Sequence, residues 1–236
     1  MAPAELGESA IGLEKEQEAR PRLPAAQMRV EDRIFYHIAP CHQWQIGLSI
    51  DTGPWKANRF YSHYESDFGV TPGDDRVPCA ERLEAFRHLP EEEKHLHCER
   101  YIQLAYDVIK DQAIFIREVL FEQVRAQEFP EHPSRTRCMW LCTHAGVESW
   151  WRTIGGDDKE IYGVRATGNI HRGDERHLRV ADTFSHKIIR EHALRYWSGS
   201  GEESADLEDI IFEGCVRVLN VYKNLQEFKE RAPRDG

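Results

Sequence analysis

The sequence predicts one α+β domain. Three observations carry that expectation: two short β-rich runs come first, a block of helical periodicity follows at 79–128, and the rest mixes strand and helix patterns. A regular βαβ repeat is absent. So are GxGxxG and GxxxxGKS/T, which removes a Rossmann fingerprint and a P-loop.

The elements follow in order. Arg33 to Ala39 (RIFYHIA) is β-branched and aromatic and predicts a strand closed by a Pro40 turn. Gln45 to Asp51 (QIGLSID) predicts a second strand. PWKANRFYSHYESDFG predicts a loop leading into a short helix, and Thr71 to Pro78 a loop. The helical block breaks near Pro90, where Glu91–Glu93 suit a helix start. Its clearest stripe is Ile102, Ala105, Tyr106, Ile109, Ala113, Ile116, Leu120 and Val124. Arg137 to Cys142 predicts a strand, and Thr143 to Ile154 a helix closed by Gly155-Gly156. Glu160 to Thr167 predicts a strand, with a turn at Gly168-Asn169. Thr183 to Trp197 predicts a helix, and Ile210 to Tyr222 the last strand. Trp150, Trp151 and Trp197 are expected to pack helices on the sheet, and His171 and Asp174 to sit in a tight turn.

Composition bounds the function. Residues 1–30 hold almost no aromatic or β-branched side chains, so an extended or disordered arm is expected there and the folded domain over 31–236. The net charge of −10 argues against a generic nucleic-acid coat. Residues 131–200 nevertheless carry 11 basic against 9 acidic side chains, enough for a locally basic cleft. No apolar run approaches the roughly 18 residues of a membrane span, and no basic-then-apolar leader opens the chain. A cytoplasmic protein without a membrane partner is therefore expected. The six cysteines show no C-x-x-C pairing and are expected as free, buried thiols. No metal is expected: Cys138, Cys142 and His144, and His95, His97 and Cys98, lack structural zinc spacing. No GxSxG motif marks a hydrolase nucleophile.

One carboxylate stands out. Glu213 interrupts the apolar run Ile210 to Val218, where an acid needs either a wet face or a chemical task. Four short motifs occur in order around it: FYHI (35–38), NRFY (58–61), PSRTRCMW (133–140) and IFEG (211–214). With GNIHRGD (168–174) and RYWSG (195–199), they resemble an uncharacterised bacterial domain family grouped with ADP-ribosyltransferase-like proteins. The resemblance covers about residues 33–222. It implies a split β-sheet core that clamps NAD, with the helical block inserted between early and late strands. It also implies a His/Tyr/Glu site, falling here on His37, Tyr61 and Glu213.

The chemistry fits those residue types. Transfer of ADP-ribose passes through an oxocarbenium-like state, which a carboxylate such as Glu213 stabilises. His37 would hold a ribose hydroxyl, and Tyr61 would stack on nicotinamide. Arg59 and Arg135 are the expected pyrophosphate ligands, with hydroxyl contacts from Ser134 and Thr136. Each has a plainer reading: a solvated strand acid for Glu213, a core imidazole for His37, an exposed turn residue for Arg135. For Tyr61, rival aromatics stand at Tyr36, Phe60 and Tyr64. The expected function is an NAD-dependent mono-ADP-ribosyltransferase, a bacterial toxin or effector domain delivered into a target cell. NAD is its substrate, a protein or nucleic acid its acceptor, and an immunity or antitoxin protein an expected partner. A noncatalytic nucleotide- or partner-binding module of the same fold is the main rival, and an RNA-phosphate-processing relative that uses NAD as acceptor a third.

Overall fold

The structure, a computed structural model, describes residues 28–52, 58, 60–62, 79–179, 185–199 and 208–233. Strand β1 spans Met28–Pro40, β2 Ser49–Asp51, β3 Met139–Leu141, β4 Lys159–Asp174 and β5 Glu208–Tyr222. Helix α1 spans Cys79–Arg87, α2 Glu91–Glu128, α3 Val147–Thr153, α4 His186–Trp197 and α5 Leu225–Arg231. The architecture is mixed α+β around a five-stranded antiparallel sheet.

The strands run in the order β1-β4-β5-β2, and β3 also pairs with β5. Cys142, just past β3, exchanges backbone hydrogen bonds of 2.8 and 2.9 Å with Tyr36 of β1. The strands β1, β4, β5 and β3 therefore close into a ring. Phe35, Leu141, Tyr162, Val164, Ile170, Phe212 and Val216, drawn from all four, form one buried cluster. A strand shows alternate residues to opposite faces, and the other faces are roofed by helices. Phe121 and Val124 of α2 and Ile189, Ala193 and Trp197 of α4 pack with Cys138 and Ile211. Val147 of α3 and Phe228 near the C-terminus pack with Tyr36, Ile38, Ile161 and Tyr222.

Several sequence expectations shift. β1 begins at Met28, inside the segment expected as an arm, and Met28, Arg29 and Val30 pair with Ile170, Asn169 and Gly168. The expected strand 45–51 is reduced to Ser49–Asp51, because Gly47 takes a φ of +89° and turns the chain first. The expected strand 137–142 keeps only Met139–Leu141. Ser134 and the residues after it form a turn instead, with Arg137 and Cys138 N–H groups donating to the Ser134 carbonyl at 3.1 and 2.9 Å. The short helix expected beyond residue 62 and the loop 71–78 lie outside the described residues. The block 79–128 divides at Pro90 as expected, into α1 and α2. Only the C-terminal half of the α2 stripe is packed: Ile102 and Ile109 remain 65% and 54% exposed. Helix α5 was not expected; the Asn224 side chain caps it by accepting from Glu227 N–H at 2.9 Å.

The turn expected at Gly168-Asn169 does not form. β4 runs unbroken, and Gly168 faces Gly214 of β5. A side chain at Gly168 would put its Cβ 2.3 Å from the Glu213 carbonyl oxygen, and one at Gly214 2.5 Å from that of Thr167. These glycines permit close strand approach rather than a reversal. His171 likewise lies inside β4, buried, and only Asp174 closes the strand, accepting from Arg176 N–H at 2.9 Å. The His171 Nε2–H donates to the Tyr196 carbonyl at 3.1 Å, so its Nδ1 accepts from His132 Nδ1–H at 2.8 Å. Burial, with His132 adding to it, pushes the His171 pKa down to about 3.

Gly168→Ala is expected to destabilise the fold by about 1–3 kcal/mol, because the new methyl meets backbone rather than a yielding side chain. Urea unfolding checks it: a midpoint drop at an unchanged slope is the expected result, and an unchanged midpoint would show that β4 and β5 separate without cost.

Candidate functional site

The site is built where β5 loses one neighbour and has not yet met the next. On one edge β5 pairs with β3 as far as Phe212, and with β2 from Cys215. Residues 213 and 214 lie at this fork. The backbone of Gly214 is satisfied there by Thr52: its carbonyl accepts from Thr52 N–H at 2.9 Å, and its N–H donates to Thr52 Oγ1 at 2.7 Å. The carboxylate of Glu213 leaves the fork toward the 134–138 turn and is 24% exposed. Ser134 N–H donates to Glu213 Oε1 at 2.9 Å, and Arg137 Nε lies 3.7 Å from the same oxygen. The acid is thus oriented on one side and open on another.

The turn beside Glu213 is stapled in place. Ser134 Oγ and Thr136 Oγ1 share a hydrogen bond of 2.8 Å. Asn58 donates through Nδ2 to the Arg135 carbonyl at 2.6 Å, and its own N–H donates to the Thr136 carbonyl at 2.8 Å. Its Oδ1 accepts from Tyr61 N–H at 2.8 Å, capping the helical residues 60–62. Asn58 stands within NRFY, yet the sequence does not mark it as a site residue.

Arg135 is not a pyrophosphate clamp in this fold. It is 4% exposed, and its donors are already engaged. Nε donates to Glu118 at 2.8 Å, and Nη1 donates to Asp209 at 2.5 Å and to the Tyr196 hydroxyl at 2.8 Å. The Tyr196 hydroxyl in turn donates to Asp209 at 2.9 Å. Arg117 completes the group, 2.6 Å from Glu118 and 2.7 Å from the Leu178 carbonyl. Burial alone would raise the Glu118 carboxyl, but Arg135 and Arg117 outweigh it and hold it below the ordinary range. The guanidinium that stands beside Glu213 is that of Arg137, two residues on.

The other expected residues fall in different places. His37 points among the strands, stacked on Trp44 at 4.6 Å, with Nδ1–H donating to the Trp140 carbonyl at 2.8 Å. Burial lowers its pKa to about 4, against the opposing pull of that hydrogen bond, so the ring is neutral near pH 7. The ring of Tyr61 lies 6.5 Å from that of Phe115 on α2. Arg59 lies outside the described residues. A cleft of about 450 Å³ opens against β3. His37, Arg135 and Trp140 are among the described residues that line it, while Tyr61, Ser134, Thr136 and Glu213 are not. The structure therefore gathers Glu213 with Ser134 and Thr136, places His37 in a cleft that they do not line, and ties Tyr61 to their turn through Asn58.

Glu118 and Asp209 were missed. Each is a carboxylate set in an apolar run, IFIREVLF and EDIIF, and that signal is the same one that singled out Glu213. The cysteines divide by environment. Cys138 and Cys142 are buried free thiols, with burial raising Cys142 to about 12, whereas Cys98 and Cys215 are exposed. Among the described residues no group of His, Cys, Asp and Glu is arranged to hold a metal ion, and no helix is long and apolar enough to cross a membrane.

A mixed α+β protein with a closed antiparallel sheet and an oriented carboxylate at a strand fork is the class these features define. A family model described as "Protein of unknown function (DUF2441)" matches residues 35–225, and the chain belongs to that family. No curated protein matches the chain.

Arg135→Met is expected to cost about 3–5 kcal/mol, the range for removing one partner of a buried ion pair. Chemical denaturation measures it. A loss below about 1 kcal/mol would place the Glu118–Arg135–Asp209 group among surface-like pairs.

Proposed function

We propose that the chain is an NAD-dependent mono-ADP-ribosyltransferase in which Glu213 stabilises the developing positive charge on the ribose. The single observation that carries this reading is the placement of Glu213: an acid at the fork of β2 and β3, held by one main-chain N–H and still 24% exposed. A carboxylate so oriented faces a ribose without reorganising during the reaction. Arg137, rather than Arg135, is the guanidinium available to an anionic group at this position. The Ser134 and Thr136 hydroxyls already bond each other, so in this reading they orient the turn as much as they touch ligand. The motif resemblance supplies NAD as the substrate class, and the acceptor is a protein or nucleic acid.

A noncatalytic module of the same fold is the second reading. What favours it is that His37 lines a cleft Glu213 does not, so the expected acid and imidazole do not share one pocket. Calorimetric titration with NAD, followed by a nicotinamide-release assay, distinguishes the two. Binding with release supports the transferase, and binding without release supports the module.

Glu213→Gln keeps the side chain's shape and removes its charge. Nicotinamide release is expected to fall about 10²–10³-fold with NAD affinity changed far less. Turnover near wild type in the folded variant would remove Glu213 from the chemistry.

A further inference from the structure

Asp209 is among the described residues lining the cleft against β3, and one of its carboxylate oxygens is left unsatisfied at the cleft wall. Asp209 is 1% exposed. Its Oδ2 takes Arg135 at 2.5 Å and the Tyr196 hydroxyl at 2.9 Å, whereas Oδ1 is buried without a hydrogen-bond partner among the described residues. Buried carboxylate oxygens are rarely left so, and each one calls for a cause. Several aromatic rings stand among the cleft walls. Trp140 and Phe60 meet edge to face at 5.6 Å, and Trp150 lines the same cleft. The volume of about 450 Å³ suits one small flat molecule.

We propose that this cleft is a binding site, separate from the Glu213 fork, for a neutral planar heteroaromatic molecule that donates an N–H hydrogen bond to Asp209 Oδ1. The charge count selects the donor. Arg117 and Arg135 balance Asp209 and the adjoining Glu118, and at the cleft Arg179 stands 3.6 Å from Glu175, so three positive charges meet three negative. A cationic ligand adds an uncompensated charge to a buried neutral group, and an anionic one meets a carboxylate oxygen. A neutral N–H satisfies the acceptor and leaves the balance intact. The rings of Trp140, Phe60 and Trp150 then favour a flat apolar body over an aliphatic one. The proposal does not depend on NAD chemistry at Glu213.

The test uses the full chain and calorimetry with four probes: indole, 1-methylindole, benzamidine and benzoate. Indole keeps the flat body and the donor, 1-methylindole loses the donor alone, and the other two carry charge. Indole is expected to bind, with each of the other three at least ten-fold weaker. Trp140→Leu removes one wall and should weaken indole at least ten-fold. Phe60, 36% exposed, tests a second wall, so Phe60→Ala supplies the same readout should the Trp140 variant fail to fold. No indole binding, equal binding of 1-methylindole, or full affinity in a folded wall variant would overturn the proposal. The outcome for NAD at Glu213 is independent of all three.

Discussion

The buried guanidinium of Arg135 is the constraint on which the arrangement depends. Four elements distant in sequence meet there: Glu118 from α2, Arg135 from the turn before β3, Tyr196 from α4 and Asp209 from β5. A charge taken out of water is stable only when its partners are fixed and its hydrogen bonds are made. Arg135 therefore holds α2, α4 and β5 against one turn. That turn includes the residues that face Glu213, since Ser134 and Arg137 flank Arg135 in sequence and meet the carboxylate in space. A structural ion-pair group thus positions a candidate reactive one.

The fork itself comes from the sheet. β5 is long, its outer edge is shared between β2 and β3, and Gly214 lies where they divide. Gly214 takes a φ of +151° and lies against Gly168, so the strands come together with no side chain between them. Glu213 precedes this point: it pairs with Asn169 of β4 on one edge and, among the described residues, has no strand partner on the other. Position, rather than an unusual environment, gives the acid its availability.

Much of this was legible in the sequence, and the misreadings have identifiable causes. The helical block was marked by periodicity and by Pro90, and both helices appear. Gly168-Asn169 has the composition of a turn, yet its glycine serves a close strand approach, and no local pattern separates the two uses. The run Arg137 to Cys142 reads as strand throughout because apolar content cannot show that Arg137 is still held in the preceding turn. Glu213 was singled out as an acid inside an apolar strand, and Ser134 and Thr136 came with the motifs around it. Arg135 was assigned to a pyrophosphate because a guanidinium in that motif suits the anion, and neither that reading nor its plainer rival, an exposed turn residue, foresaw its burial. The correcting signal was on other elements, in the apolar settings of Glu118 and Asp209, and only tertiary structure links them to it.

The central claim is that the Arg135 group sets the position of Ser134 and, through its N–H, that of Glu213. The amide proton of Ser134 in a nuclear magnetic resonance spectrum reports this directly. The account predicts a downfield Ser134 amide in the native chain, shifted upfield both by Glu213→Gln, which weakens the acceptor, and by Glu118→Gln, which loosens the turn without touching the bond. A Ser134 amide that responds to Glu213→Gln but is indifferent to Glu118→Gln in a folded protein would contradict it.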